Sequence, residues 1–412
     1  MSTSDPSNNL RAATNAPADR SSAAKSPADR LLANHSFPCK SCGGKLEFSP
    51  GELAQSPTGQ PVLKCPYCGV VNEIAVEETQ ILEQDYSAAL AAIQAELRTR
   101  AAESETNDVI IVHCNSCGAD VQFDTDVTST TCRFCSSPLV AVKQSTKLIK
   151  PQAVLPFAVP AEQARSIFVT WLAGRWFAPS NLKKLAALDT GGTGKINGAY
   201  LPFWTYDSDV DTVYSGFRGE DYYETQMYTV MVNGRSQMRS RQVRRTRWYA
   251  AAGQVFNRFD DVLVNATTAV PVEHLKAVSN FDLPNLVPYR DEYLAGMSAQ
   301  SYTITLDAGF QTAQAMMMTQ VEVTVRQHIG GDRQRVTSMD PTFNDVTFKH
   351  ILLPIWIAAY RYGGKSYRFI VNGRTGAASG DRPYSWIKIT LASLFGIAVV
   401  AVIVIVIAQS QQ

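Results

Sequence analysis

Polar and apolar positions change character several times along the 412-residue chain, and each change marks a segment. Residues 1–36 are mostly Ser, Ala, Asn, Asp, Pro and Arg, with almost no large apolar side chain. Such a stretch buries too little surface to offset chain entropy, which predicts a disordered tail. Leu82, Tyr86, Leu90, Ile93 and Leu97 recur every three or four residues, which predicts a linker helix within 78–106 whose stripe packs inside the chain. From 147 to 385 no long linker interrupts the pattern. Helical spacing at 161–177 follows Pro160, and a short helix is expected at 181–188. Alternation then predicts strands at 199–207, 210–217, 222–232, 237–249 and 261–265, a helix at 310–318, and strands at 319–328, 351–362 and 366–372. Gly363, Gly364 and Lys365 suit the last hairpin turn. Finally, residues 389–408 carry no charge, and only Thr390 and Ser393 have polar side chains. A helix of that length covers about 30 Å, the hydrocarbon thickness of a bilayer, so 386–408 is expected to span a membrane.

The cysteines add metal chemistry to this outline. All eight fall into four C-x-x-C pairs: Cys39 with Cys42, Cys65 with Cys68, Cys114 with Cys117, and Cys132 with Cys135. Two residues between thiolates let both sulfurs turn toward one ion, and a second pair completes a closed tetrahedron, the structural form of zinc. Two zinc ribbons are therefore expected, at 37–77 and 107–146, each holding one Zn2+, with short strands at 45–48 and 120–123. Gly43, Gly69 and Gly118 follow second cysteines, where a knuckle needs a positive φ. Four thiolates also suit an iron–sulfur cluster. His35 and His113 are surplus to two complete ligand sets. A closed shell leaves no open position for catalysis at the metal. The fold class is thus α+β: two tandem four-cysteine zinc ribbons, a β-rich α+β domain and one C-terminal transmembrane helix, with a short tail at 409–412.

Charge refines the picture. The formal net charge is +1, which argues against coating nucleic acid through global charge. Locally, acids crowd 207–224, whereas 225–259 has none and carries Arg235, Arg239, Arg241, Arg244, Arg245, Arg247 and Arg258. Cross-strand pairing of these two stretches is the favoured reading. A basic stripe for nucleic acid or lipid headgroups is the alternative. Arg361, Lys365, Arg368, Arg374, Arg382 and Lys388 precede the apolar run against a single acid, Asp381, and the positive-inside rule then places the large N-terminal part in the cytoplasm. Tyr384 and Trp386 sit where interfacial aromatics sit.

Enzyme motifs fail on inspection. Gly191–Lys195 evokes a phosphate loop, but Asp189 and Ile196 occupy positions that need Gly and Ser or Thr. Asp207, Asp209 and Asp211 evoke a calcium loop, but Thr212 and Arg218 stand at its sixth and twelfth positions. Asp260 and Asp261 read as a turn. No residue set marks a catalytic centre, so no enzyme is expected.

The ribbons, together with Ala199–Asp207, Phe259–Val264, Tyr367–Gly376 and Arg382–Ser385, resemble a family of bacterial zinc-ribbon membrane proteins labelled primosomal-protein-N′-like or TFIIB-type zinc-ribbon proteins. The resemblance covers roughly residues 37–408. It implies zinc at all eight cysteines and a place in the bacterial inner membrane. It also implies a tail-anchored adaptor that recruits SPFH- or PspA-type envelope-stress proteins. The helicase flavour of the label has no nucleotide-binding motif behind it here. The alternative expectation is a membrane-tethered nucleic-acid-binding zinc-ribbon protein using Arg235–Arg247.

Overall fold

The structure is a computed structural model. It describes residues 37–44, 46–50, 61–74, 80–102, 110–113, 120–123, 129–131, 138–140, 149–176, 179, 196–232, 234–362 and 365–410. The expected 181–188 helix and the Gly363–Gly364 turn lie outside them. It is an α+β protein built on a β-rich half-barrel. Its strands are β1 Glu47–Phe48, β2 Val62–Lys64, β3 Val71–Glu73, β4 Gln84–Asp85, β5 Ile110–His113, β6 Asp120–Phe123, β7 Ser129–Thr131, β8 Pro138–Val140, β9 Ala153–Val154, β10 Ile196–Val232, β11 Arg235–Asn265, β12 Val287–Pro288, β13 Ser298–Ala299, β14 Arg333–Tyr362, β15 Lys365–Asn372 and β16 Ala378–Gly380. Its helices are α1 Tyr86–Ala102, α2 Ala161–Ala173, α3 Val272–Ala277, α4 Leu306–Ile329 and α5 Trp386–Ser410.

The main sheet follows the order β11-β10-β14-β15-β16. The five short strands expected between 199 and 265 are in fact two long ones, of 37 and 31 residues, paired antiparallel from Phe203↔Asn265 to Val232↔Arg235. Gly216 and Gly219 do not break β10; they let neighbours approach. A Cβ on Gly216 would stand 2.3 Å from the Arg335 carbonyl oxygen, and one on Gly219 would stand 2.7 Å from the Thr246 methyl. β14 also begins far earlier than expected, pairing with β10 as far out as Gly219↔Arg333.

The strand expected at 319–328 is helical. Val321, Val323 and Val325 alternate as in a strand, yet Ala313, Met317, Val321, Val325 and Ile329 recur every fourth residue and are buried, while Val323 is exposed. Tertiary burial of that stripe overrides the β-branched preference. Thr305 caps α4, its hydroxyl accepting from the Ala308 amide, and Gly330 ends it at φ 66°. The helix lies on β10 and β11, where Val210, Tyr214 and Val255 meet Val321, Val325 and Ile329. Its N-terminal turn is fixed from below. The Tyr206 hydroxyl donates to the Leu306 carbonyl at 2.6 Å, and the Trp204 indole donates to the Ile304 carbonyl at 3.0 Å.

α1 packs inside the chain as expected, with Tyr86, Ala89 and Ile93 against the cluster around Trp204 and Phe310. Leu82 does not join that stripe; it is 73% exposed, because the chain pairs as β4 with Thr347 and Phe348 before the helix starts. Asp85 caps α1 by accepting from the Ala88 amide at 2.6 Å.

At that junction a buried lysine gathers acids from three segments. Lys349 on β14, its side chain 9% exposed, lies 2.9 Å from Glu83, 2.8 Å from Asp261 and 3.8 Å from Asp207. Asp260 and Asp261 thus form a bulge inside β11, not a turn: Asp261 has φ 52°, and its amide donates to the Asp207 carboxylate. A matching bulge in β14 has Asp345 at φ 49°. Lys349 holds Glu83 below the usual carboxylate range. Burial, partly offset by the Asp261 amide, raises Asp207 to about 6.

This packing is sensitive to one glycine and to one proton. A Cβ on Gly309 would stand 2.5 Å from the Tyr206 hydroxyl and 2.8 Å from the Trp204 ring, so Gly309→Ala should lower unfolding free energy by about 1–3 kcal/mol; a denaturant titration of the detergent-solubilised chain measures it. Because the Asp207 carboxyl is raised, folding takes up a proton there. Its contribution to stability is complete below about pH 4 and is lost as the pH climbs through about 6. Asp207→Asn should therefore flatten the pH dependence of the unfolding midpoint between those values.

Candidate metal centre

The first ribbon is a three-stranded sheet, β1-β2-β3, with a cysteine knuckle before β1 and another between β2 and β3. Each knuckle is a backbone loop closed on itself. The Gly43 amide donates to the Cys39 carbonyl at 2.9 Å, and the Cys39 amide to the Gly44 carbonyl at 2.6 Å. The second copies the first: Gly69 donates to Cys65 and Cys65 to Val70, both at 2.9 Å. The glycine after each second cysteine has a positive φ, 72° at Gly43 and 75° at Gly69, as the spacing requires.

This geometry brings Cys39, Cys42, Cys65 and Cys68 together. Their sulfurs all lie within 4.8 Å of one another, with Cys39 to Cys68 at 3.6 Å and Cys42 to Cys65 at 3.5 Å. A tetrahedral zinc with Zn–S bonds of about 2.3 Å needs sulfur–sulfur edges of about 3.8 Å, so the four ligands fit a zinc ion. The backbone prepares the thiolates unequally. Amides of Cys42 and Ser41 hold Cys39 below the ordinary thiol range. The Cys68 amide leads in lowering Cys65 to about 7. The Gly44 amide lowers Cys42, but the Cys68 and Cys65 sulfurs outweigh it and push Cys42 up to about 12. Without an ion the sulfurs share protons; a bound cation replaces them.

The ribbon is docked on the main domain. Cys39, Leu46, Phe48, Leu63, Cys65 and Ile74 are buried in one cluster with Tyr293, Ala295 and Met297. The Phe48 amide donates to the Ala295 carbonyl at 3.0 Å, and Phe48 meets Tyr293 edge-on at 5.7 Å. An ion held by the four sulfurs would thereby be coupled to the core beneath the ribbon.

Cys114, Cys117, Cys132 and Cys135 lie outside the described residues, as do His35 and Gly118. The strands around them are described: β5 pairs with β6, and β7 with β8. The expected 120–123 strand is β6.

Two further sequence candidates resolve into other roles. Asp207, Asp209 and Asp211 form no calcium loop; they lie on one face of β10. Asp209 takes two bonds of 2.8 Å from Arg258, Asp211 accepts from Asn344 at 3.2 Å, and Asp207 belongs to the Lys349 cluster. Glu83, Asp207 and Asp260 come close enough to hold a cation, but the Lys349 ammonium already supplies that charge.

The arginines divide by the register of the hairpin. Beyond Gly219↔Arg333 only β10 and β11 continue among the described residues, as about 40 Å of two-stranded ribbon. One face carries Tyr222, Tyr228 and Tyr249 with Arg235, Arg239, Arg241, Arg245 and Arg247. Arg245 pairs with Glu224 at 3.0 Å, while Arg241 and Arg247 lie over Tyr228 and Tyr222 at 5.4 and 5.2 Å. The other face carries Phe217, Tyr223, Met227, Met231, Met238 and Trp248, all exposed. Arg244 belongs to this second face, 3.4 Å from Asp221, and so leaves the stripe. Cross-strand pairing thus accounts for Arg244, Arg245 and Arg258, and the remaining cations line one side.

The C-terminal apolar segment is helix α5. Its stretch Trp386–Ile403 has a mean hydropathy of 2.2 with no residue buried, and is long enough to cross a membrane.

A curated relative, the uncharacterized protein YdjG of Bacillus subtilis (strain 168), is 23% identical over 240 residues. The match takes in 58% of this chain and spans 65% of the relative's length. No family model matches the chain, and no solved structure matches it.

If the four sulfurs hold zinc, Cys42→Ser should lower the zinc content of the purified chain by one ion and reduce the thermal stability of the docked ribbon. Metal analysis beside a melting curve checks both.

Proposed function

We propose that this protein is a membrane-anchored adaptor, held in the bilayer by α5 with its large N-terminal part in the cytoplasm. On this reading it recruits a protein partner, of SPFH or PspA type on the resemblance drawn from the sequence. The observation that supports it is the segregation of the exposed hairpin. One face presents Tyr223, Met227, Met231 and Met238 among Thr, Ser and Gln side chains, and it backs onto a face that carries five arginines. Met231 and Met238 are 71% and 69% exposed, and methionine is the side chain best able to adapt to a partner's surface. The tip of the hairpin is also remote from the anchor along the sheet. From Ala199, level with the β14–β15 edge, β10 runs as far as about 100 Å to Val232. An arm of that reach suits capture of a partner in the aqueous phase. The zinc ribbon keeps one flank of the scaffold folded. No catalytic role is assigned to any residue.

The basic face supports a second reading, nucleic-acid binding, because a two-stranded ribbon fits a major groove and arginines beside tyrosines suit phosphates and bases. The two differ in salt dependence.

Replacing Met227, Met231 and Met238 together by Ser should reduce protein-partner capture from detergent-solubilised membranes at least about tenfold, and leave the chain in the membrane fraction. Replacing Arg239, Arg241 and Arg245 by Gln should leave that capture within about twofold. The opposite pattern, with nucleic acid recovered at low salt and released at high salt, establishes the second reading instead.

A further inference from the structure

A pocket of about 480 Å³ opens at the root of α5, lined among others by Trp171, Arg175, Tyr367, Asp381, Arg382 and Tyr384. We propose that it binds the phosphate of an anionic phospholipid headgroup between Arg175 and Arg382. The inference rests on the reading of α5 as a membrane anchor.

Two arginines from distant parts of the chain meet here. Arg175 follows α2, and Arg382 precedes α5. Each is held by a ring: Arg175 lies 5.0 Å over Trp171, and Arg382 lies 5.2 Å over Tyr384. Among the described residues neither has a carboxylate within ion-pair distance. The acid in the wall, Asp381, is turned to another partner, its Oδ1 lying 3.1 Å from His274 Nε2. His274 is held in turn by Ser379, 3.0 Å from its Nδ1. A guanidinium stacked on an aromatic face keeps its donors free for phosphate oxygens.

The frame is rigid. The Asp381 amide donates to the Arg368 carbonyl at 2.7 Å, and the Tyr360 hydroxyl to the Asp381 carbonyl at 2.7 Å. Gly380 permits this close approach, since a Cβ there would stand 2.7 Å from the Arg368 carbonyl oxygen.

The pocket also lies at the level of a headgroup. Trp176, Tyr384 and Trp386 are exposed around it, and the Lys388 ammonium donates to the Trp176 carbonyl at 3.1 Å, tying the end of α2 to the first turn of α5. Aromatic and basic residues at the start of an apolar helix mark the membrane interface, where lipid phosphates lie. A volume of this size suits a headgroup better than an isolated phosphate ion.

The test uses the full-length chain, purified in non-ionic detergent and delipidated. It is titrated with short-chain phosphatidylglycerol, short-chain phosphatidylcholine and inorganic phosphate, and binding is read by native mass spectrometry. Phosphatidylglycerol should bind at least about tenfold tighter than phosphatidylcholine, and the Arg175→Gln, Arg382→Gln double variant should lose that preference. Asp381→Asn should tighten binding about twofold or more, a gain that misfolding cannot produce. Equal binding of the two lipids, or an unchanged double variant, overturns the proposal. Inorganic phosphate binding as tightly as phosphatidylglycerol overturns it in favour of a site for free anions. Alkaline carbonate extraction of cell membranes separates the two readings. A chain that resists extraction but shows no headgroup preference has an anchor without the lipid site. A chain that is extracted has neither.

Discussion

One buried ammonium governs how the segments of this protein meet. Lys349 sits where β14 passes the bulges that bend both strands flanking Asp207 and Ser208 of β10. Its three acids arrive from the segment before α1, from β10 and from β11. A charge buried this far is tolerated only when paired, and here three carboxylates share that pairing. The ammonium is not the only group that holds these acids. Burial raises the Asp207 carboxyl while Lys349 holds Glu83 low, and the Asp261 amide and Thr347 hydroxyl also donate to Asp207. Local strain is accepted in return: Asp261 and Asp345 both adopt left-handed backbone, which aspartate tolerates better than most residues.

From that point the molecule extends in two directions. Toward the β15–β16 edge the core is dense and aromatic, with Phe157 against Tyr200 and Trp356, and Phe168 against Phe369. There Asn372 donates to the Val278 and Asn280 carbonyls, and Arg374 pairs with Asp282. Two of the cations counted before the apolar helix are therefore spent on the fold, since Arg374 is paired and Arg368 donates to the Ala269 carbonyl. In the other direction the sheet narrows from three strands to two beyond the first residues of β14. Past that point nothing among the described residues covers the hairpin, and its side chains are exposed on both faces.

Local chemistry was legible in the sequence; long-range chemistry was not. The knuckles could be read because cysteine spacing and the following glycine are fixed by one loop's own backbone. The apolar helix could be read because nothing charged interrupts it. By contrast, Gly216 and Gly219 look like strand ends until Arg335 and Thr246 are seen pressing against them. Val321, Val323 and Val325 look like a strand until the four-residue stripe from Ala313 to Ile329 finds β10 and β11 beneath it. The acids at 207–211 look like a metal loop until Arg258, Asn344 and Lys349 arrive from elsewhere. In each case the deciding neighbour lies tens of residues away in sequence.

The same separation explains why the two surfaces differ in kind. At the hairpin, segregation comes from alternation along paired strands, a period-two property that the register makes visible. It yields broad faces, which suit contact with a large partner. At the root of α5, Arg175 and Arg382 are remote in sequence and meet only because α2 and β16 pack on β15, near the aromatic face of Phe369. It yields a concave site with few groups, which suits a small charged moiety. Neither surface needs the other to form. On the proposed reading that independence has a use, because a load on the hairpin would leave a headgroup held at the root of α5 undisturbed.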